Sequence, residues 1–232
     1  MLYADRPLPP QLLDTLRDRE PDHIYKDMMR SLALALLETD TIPGAVSRIG
    51  CGNGKTVAYA GMILDLIGSK RHLHVFDAFP VVPIHPDEVM PDRNQKCDHD
   101  AGILVCEAAC DALGVSTPRH YHPGWFQDTL EKEMPMSSFV YVDVPNRASL
   151  IYLLNPLYLA TEDNAICLFE GYGLGLTGCV QRQTDAFLNL KPEKMELAVS
   201  GITGGFRRQV PKWLKDERAA KAMPSLEVAT KN

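Results

Sequence analysis

The chain has 232 residues, of which 45% are hydrophobic, and this is enough apolar material to build the core of one domain or of two small ones. With 24 Lys and Arg against 30 Asp and Glu, the net charge is −6. This balance argues against a nucleic-acid partner, because such partners are bound mainly through Lys and Arg on phosphates. No stretch reaches the roughly 18 apolar residues of a membrane span, and the chain begins with a charged, Pro-rich segment rather than an apolar leader. We therefore expect a soluble cytoplasmic protein.

The predicted elements alternate between helices and strands. In chain order they are a helical region at Leu12–Leu16, a helix at Tyr25–Glu38, a strand at Ala45–Ile49, a helix at Val57–Ile67, a strand at His72–Phe76, a Pro-rich loop at Pro80–Asp98, a helix at Ala101–Leu113 and a strand at Arg119–His122. The second half adds a strand at Phe139–Val142, a helix at Ala148–Tyr158, a strand at Ala165–Phe169, a helix at Val180–Leu190, weak strands at Met195–Val199 and Phe206–Val210, and a charged stretch with little signal at Lys212–Asn232.

This alternation predicts an α/β, Rossmann-like fold with a mostly parallel sheet and helices on both faces. We expect residues 1–40 to form an N-terminal helical extension, residues 41–212 the ligand-binding domain and residues 213–232 a C-terminal tail. Ligands of such sheets bind beyond the carboxyl ends of the strands. The polar residues that follow the strands are therefore the candidates for a site: the 50–56 loop, Asp77, Asp143 and Glu170.

The run Arg48-Ile-Gly-Cys-Gly-Asn-Gly-Lys-Thr56 admits two interpretations. A phosphate-binding P-loop needs a glycine five residues before the Gly-Lys-Thr, and that position is Ile49. The glycines Gly50, Gly52 and Gly54 instead follow a strand and open a helix, and Asp77 ends the next strand at roughly the 20-residue offset at which an acid accepts ribose hydroxyls. The pattern favours a nucleoside cofactor without separating NAD from S-adenosylmethionine, and a plain tight turn remains an alternative.

Several further runs carry a family resemblance. They are Leu12-Leu-Asp-Thr-Leu16, Ile24-Tyr-Lys-Asp27, Ile42-Pro-Gly-Ala45, His74-Val-Phe-Asp-Ala-Phe-Pro80, Gly124-Trp-Phe-Gln-Asp-Thr-Leu130, Val142-Asp143 and Phe169-Glu-Gly-Tyr-Gly173. In order and spacing they resemble the macrocin/mycinamicin (TylF/MycF-like) sugar O-methyltransferases of antibiotic biosynthesis. The resemblance covers most of residues 12–210.

The resemblance implies a seven-stranded class I methyltransferase fold and a methyl acceptor that is a hydroxyl, or an amine, of a sugar-like or aminocyclitol molecule. It implies that S-adenosylmethionine contacts Gly50, Gly52, Gly54, Thr56, Asp77, Ala78, Phe79, Trp125 and Phe126. It also implies a divalent metal, usually Mg²⁺, held by strand-end acids, here Asp143 and Glu170, and a homodimer or homotetramer.

The chain departs from the family pattern at positions that bear on the metal. Arg48 replaces the acid usual at the start of the first loop, Gly171 replaces the second acid after strand five, and Pro145 replaces the second acid after strand four. The segment between Asp27 and Asp40 is also shorter. Two carboxylates could still hold Mg²⁺, which takes carboxylates in an octahedral shell completed by water or substrate, or they could form a metal-free acid/base pair.

Asp143 is the first candidate for the catalytic base, because it ends a buried strand beside the expected cofactor, and Glu170 is the second. His85 and His99 are alternatives in or near the long loop. Trp125 and Phe126 either stack near the adenine or pack in the core.

Two other classes compete with a methyltransferase. One is a degenerate relative that acts as a cofactor-binding or scaffold protein without methyl transfer, which the lost acids suggest. The other is an NAD-type enzyme, although a second nucleotide-binding half is missing from the pattern. The six cysteines form no Cys-x-x-Cys pair, and we expect reduced thiols that fill small apolar spaces.

Overall fold

The computed structural model describes residues 7–19, 23–79, 102–144, 147–174, 179–198 and 201–222. The helices in these ranges are α1 (Pro10–Arg19), α2 (His23–Glu38), α3 (Lys55–Leu66), α4 (Ile103–Leu113), α5 (Phe126–Glu133), α6 (Arg147–Leu159), α7 (Cys179–Leu188) and α8 (Lys212–Ala222). The strands are β1 (Ala45–Ile49), β2 (Leu73–Asp77), β3 (Arg119–Pro123), β4 (Ser137–Val142), β5 (Thr161–Phe169), β6 (Glu196–Leu197) and β7 (Gly204–Arg207).

The strands form one seven-stranded sheet in the order β3-β2-β1-β4-β5-β7-β6. Strands β1 to β5 pair in parallel, whereas β7 runs antiparallel to both β5 and β6. The predicted α/β class and the seven-stranded sheet are thus confirmed. The order reverses between β1 and β4, and open α/β sheets bind ligands in the crevice at such a point.

Apolar side chains cover both faces of the sheet, as they must when helices pack on each side. One core cluster joins the sheet to α2 and α3 and includes Leu32, Ile63 and Val75. The other joins the opposite face to α6 and includes Phe76 and Leu153. Every residue of β4 is buried, since this strand lies at the centre of the sheet.

Buried arginines fasten the outer elements to the sheet. The Arg71 guanidinium donates to the Leu36 carbonyl at 2.7 Å, to the Thr39 hydroxyl at 2.9 Å and to the Ser138 hydroxyl at 3.0 Å, and so ties α2 to β4. Near the other edge, Arg208 Nη1 lies 2.6 Å from Glu193 Oε1, and both side chains are buried.

Some elements differ from the sequence prediction. Helix α5 was not expected, and the stretch that opens at Lys212, interpreted as a tail with little signal, forms α8 through Ala222. Helix α8 has no strong apolar pattern from which it could be predicted. Polar contacts hold it in place, among them Arg218 Nη2 donating to the Leu159 carbonyl at 2.7 Å. Strand β5 starts at Thr161 rather than Ala165. The weak strand at Met195–Val199 contracts to β6, and the one at Phe206–Val210 is displaced, because β7 starts two residues earlier at Gly204. The loop predicted at Pro80–Asp98 lies outside the described residues.

Of the helices that the structure describes, none is long and apolar enough to cross a membrane.

Candidate active site

The predicted site residues lie at one edge of the sheet. Gly50 follows β1, Asp77 ends β2, Asp143 follows β4 and Glu170 follows β5. These four strands are parallel, so their carboxyl ends meet at the same edge. The loop after β1 lies between the acid of β2 and the acids of β4 and β5.

The glycine turn after β1 is crowded at Gly50 and open at Gly52. Gly50 has φ 79°, and a Cβ there would lie 2.0 Å from the Asp143 carbonyl oxygen, so no larger residue fits. At Gly52, φ is 53°, and a Cβ would meet no atom within 4 Å. The turn therefore leaves space at Gly52 in which a ligand can approach the backbone.

Helix α3 begins at the end of this turn. Its N-cap is Gly54, with φ 77° and no side-chain cap, and a Cβ at Gly54 would lie 2.7 Å from the Cys106 Cα. Thr56, in the first turn, is buried. A helix N-terminus carries partial positive charge and favours an anionic group, such as the carboxylate of an amino acid.

Asp77 holds the glycine turn through its carboxylate. Oδ2 accepts the Cys51 N–H at 2.7 Å, and Oδ1 accepts the Phe79 N–H at 3.1 Å. A carboxylate has about four acceptor positions, so capacity for two ligand hydroxyls remains. Ala78 is half-buried. The Phe79 side chain is buried and meets Tyr121 edge-to-face at 6.0 Å, so a ligand contact here would come from the backbone.

The segment after β3 lies beside Asp77. The Gly124 N–H donates to the Asp77 carbonyl at 3.1 Å, and Trp125 is the N-cap of α5. Both Trp125 and Phe126 are half-buried, and Phe126 packs against the core cluster around Phe76. The packing interpretation thus applies to Phe126, while stacking of Trp125 on a cofactor stays a prediction.

A charged cluster follows β4 and β5. Arg48 Nη2 donates to Asp143 Oδ2 at 2.9 Å, and the Arg48 side chain is only 2% exposed, against 42% for Asp143. The Arg48 guanidinium carbon lies 4.7 Å from the centre of the Tyr141 ring. The Tyr141 hydroxyl donates to Glu170 Oε2 at 2.9 Å. Four side chains from three adjacent strands or strand ends thereby form one connected unit.

The surroundings of this cluster raise the pKa values of Glu170 and Arg48. Burial, followed by the charge of Asp143, raises the pKa of Glu170, and the nearby Arg48 only partly opposes this. Burial opposes the charge on Arg48, but Asp143, Tyr141 and Glu170 together outweigh it and raise the pKa of the guanidinium. A carboxyl group whose pKa is raised by burial and by a neighbouring carboxylate is suited to accepting a proton from a substrate.

The described side chains of this cluster do not fit a Mg²⁺ ion. No group of three His, Cys, Asp or Glu side chains that could hold a metal occurs among the described residues. One oxygen of Asp143 is already paired with a buried cation. Two like unit charges about 4 Å apart repel by ~4 kcal/mol at an effective dielectric constant of about 20, and a divalent ion would roughly double this cost.

Some members of the site were missed as participants by sequence reasoning. Arg48 was noted only as a departure from the family pattern, and Tyr141 was not singled out. The available signal was a charged residue within the strand Ala45–Ile49, which is otherwise apolar or small and central in the sheet. His85, His99 and Pro145 lie outside the described residues.

A cavity of about 430 Å³ is lined in part by residues that follow Glu170 in the chain. It is lined by Tyr172, Gly173, Gln181, Met195, Glu196 and Leu197. Tyr172 comes two residues after Glu170, and its hydroxyl donates to Asp185 Oδ1 at 2.8 Å. The cavity therefore adjoins the segment that follows β5, and none of the four cluster residues lines it.

Comparisons with known proteins identify the fold. Neither the protein-family models nor the curated protein sequences give a match. Among solved structures, the O-methyltransferase NovP is 14% identical, with 79% of this chain and 78% of that chain covered and a TM-score of 0.65. The calicheamicin methyltransferase CalS11 is 16% identical, with 88% and 87% covered and a TM-score of 0.65. The O-methyltransferase TomG from Streptomyces achromogenes, solved in complex with SAM, is 12% identical, with 90% and 93% covered and a TM-score of 0.55.

At these identities the likeness concerns the fold: this chain has the α/β fold seen in these solved O-methyltransferases.

Proposed function

We propose that the protein is an S-adenosylmethionine-dependent O-methyltransferase that acts on a hydroxyl of a sugar-like small molecule. The observation that carries this proposal is the arrangement at the sheet edge. An open glycine turn, bonded to the Asp77 carboxylate, lies directly beside the Asp143–Glu170 carboxyl pair, and Gly50 is within contact of the Asp143 backbone. One half of the site suits a nucleoside, and the other half suits an acceptor that must lose a proton.

The cofactor half follows from the chemistry of the described groups. Asp77 would accept the ribose hydroxyls, the N-terminus of α3 would face the amino-acid carboxylate, and the space at Gly52 would admit the cofactor to the backbone. If bound there, S-adenosylmethionine would supply a methyl group from its positively charged sulfur to the acceptor oxygen. A C–O bond would form, the C–S electron pair would stay on sulfur, and the acceptor proton would pass to a base of the protein.

The acceptor half would take up that proton. Asp143 is the base in this proposal. Arg48 fixes the position of its carboxylate, and 42% of the side chain is exposed, so that an acceptor can reach it. The charge of Asp143 contributes to the raised pKa of Glu170, so Glu170 is the second acid that can take up or relay the proton. A positioned base of this kind contributes about 10²–10⁴-fold to the rate, and the described residues call for no metal in this step.

The substrate class rests on sequence motifs and on the neighbours. The chain resembles the macrocin/mycinamicin family, and one structural neighbour is CalS11, described as a TDP-rhamnose 3′-O-methyltransferase of calicheamicin biosynthesis, with 15% identity and a TM-score of 0.61. We propose a sugar hydroxyl, free or attached to an antibiotic scaffold, as the acceptor class.

The test is turnover with a panel of nucleotide-linked sugars and glycosides, followed through the formation of S-adenosylhomocysteine. Asp143→Asn should lose most of the activity with any accepted substrate while it keeps its secondary structure and its cofactor affinity. Asp128→Asn, an exposed aspartate on α5, is the matched control and should stay active. Full turnover by a well-folded Asp143→Asn protein would remove Asp143 from the mechanism.

A further inference from the structure

Arg48 is a charged side chain in an unusual position. It lies in β1, near the centre of the sheet, and its register partners are Val75 on β2 and Tyr141 on β4. Its side chain is 2% exposed, and its Nε is buried and has no hydrogen-bond partner among the described residues. Burying an unpaired guanidinium costs folding free energy, so the groups that pair with Arg48 indicate its role.

We propose that Arg48 is the positioning residue of the acceptor half of the site, where it fixes the position of the Asp143 carboxylate and excludes a divalent cation from the Asp143–Glu170 pair. The role of Asp143 as a base rests on the proposed methyl transfer. The exclusion of a cation does not, because it concerns only the charges and contacts of this cluster.

The contacts show how the guanidinium is fixed. Nη1 donates to the Ile49 carbonyl at 3.2 Å, and Nη2 donates to Asp143 Oδ2 at 2.9 Å. The guanidinium carbon lies over the Tyr141 ring, 4.7 Å from its centre, and the Tyr141 hydroxyl donates to Glu170. The cation is therefore connected to both carboxyl groups, directly to one and through an aromatic ring to the other.

The charges show why a metal would be excluded. A divalent cation between the two carboxylates would compete with Arg48 for Asp143 Oδ2 and would be repelled by a positive charge that cannot move away. Only two carboxylates are present in this cluster, whereas Arg48 already supplies one unit of positive charge. With both acids ionised the net charge of the cluster is −1, so Arg48 already offsets half of the negative charge that would attract a divalent cation.

The structure also has room for a third carboxylate that the sequence lacks. Gly171 follows Glu170 with φ 75°, and a Cβ there would have Val180 Cγ2 as its nearest neighbour at 3.9 Å, an ordinary contact. Asp tolerates this left-handed backbone region better than most residues. The substitution Gly171→Asp is therefore a practical way to add a ligand and to ask what Arg48 excludes.

The experiment compares ion uptake by paired variants. Wild type, Arg48→Met/Gly171→Asp and Arg48→Lys/Gly171→Asp are titrated with MnCl₂ by calorimetry, after circular dichroism has verified their folding. The two double variants differ in the charge at position 48. We expect no uptake by wild type or by the lysine variant, and one Mn²⁺ per chain in the methionine variant, bound at least tenfold more tightly than by the lysine variant.

Three results would overturn the proposal: one Mn²⁺ bound per wild-type chain and lost in Asp143→Asn, a folded methionine variant that binds none, or equal binding by the two double variants. The wild-type titration keeps the test decisive if the variants do not fold. S-adenosylmethionine is titrated into the same wild-type sample. Absence of cofactor binding there would count against the proposed function alone, while Mn²⁺ uptake alongside normal cofactor binding would count against the role of Arg48 alone.

Discussion

At the scale of single residues, glycine is needed in the turn after β1 for two different reasons: lack of space for a Cβ and a positive φ. Gly50 is required by space, because a Cβ would lie 2.0 Å from the Asp143 carbonyl, and by its positive φ. Gly52 is required by its φ of 53° alone. We expect Gly50→Ala to destabilise the fold by about 3 kcal/mol or more, and Gly52→Ala by about 1 kcal/mol. Urea unfolding of both variants measures this difference, and equal losses would contradict the described geometry of the turn.

The carboxyl group of Glu170 gives a second prediction at this scale. Burial and the neighbouring Asp143 raise its pKa in the native state, so the native protein binds this proton more tightly than the unfolded chain does. Stability is therefore lost as the pH rises from the unfolded value, about 4.3, through the raised native value. Glu170→Gln cannot ionise, so its free energy of unfolding should fall less than that of wild type over this range.

Chemical unfolding of wild type and Glu170→Gln from pH 4 to pH 8 measures that difference. Glu131→Gln, which changes an exposed glutamate with no comparable partner, is the control and should follow wild type. Parallel stability curves for wild type and Glu170→Gln would show that Glu170 titrates normally.

At the scale of elements, four histidines from two neighbouring strands stack on each other. His72 lies 3.0 Å from His120, and His74 lies 2.9 Å from His122, between ring nitrogens. His122 also contacts Glu133 of α5 at 2.7 Å. Burial, and then the charges of His120, His122 and His72, lower the pKa of His74 to about 4. The pair β2–β3, which carries Asp77 at its end, therefore packs best when His74 is neutral.

Because the unfolded chain takes up a proton on His74 below about pH 6.5, stability should fall as the pH drops from 6.5 towards 4. We expect His74→Gln to reduce this loss by about 1 kcal/mol, after allowance for solvent screening at a partly exposed site. His72→Gln, which removes only the last-ranked of the charges that act on His74, should have a smaller effect. Thermal unfolding at pH 7 and pH 5 measures the effect, and equal pH sensitivity in wild type and His74→Gln would contradict it.

The elements also show what the sequence could and could not predict. Alternating apolar strands and helices predicted the parallel sheet, and acids at the ends of parallel strands necessarily converge, so Asp77, Asp143 and Glu170 were found from pattern alone. The pairing of Arg48 with Asp143 joins residues 95 positions apart and depends on strand order, which no local pattern encodes. Helix α8 was missed because its apolar signal is weak and polar contacts hold it.

At the scale of the whole molecule, a buried ion pair joins the antiparallel end of the sheet to its helices. Arg208 and Glu193 are 1% and 0% exposed, and the Arg208 guanidinium carbon lies 3.6 Å from the centre of the Tyr158 ring on α6. Arg208→Met leaves Glu193 buried and uncompensated, and we expect a loss of about 3–5 kcal/mol. Arg208→Met/Glu193→Leu should recover part of that loss.

Urea midpoints of the two single variants and the double variant test this coupling. A double variant whose loss equals the sum of both single losses would show that the two side chains act independently. Since β7 pairs with β5, which carries Glu170, the same variants also show whether this edge supports the site.

The methyl transfer proposed for this site requires that the glycine turn and Asp77 bind S-adenosylmethionine. The most direct measurement is a calorimetric titration of the purified protein with S-adenosylmethionine and S-adenosylhomocysteine, repeated on Asp77→Ala and on Asp128→Ala. We predict micromolar binding to wild type and Asp128→Ala, at least several-fold weaker binding to Asp77→Ala, and no change on addition of Mg²⁺. Absence of binding by wild type would contradict the proposed activity and would leave a methyltransferase fold that serves as a partner or scaffold.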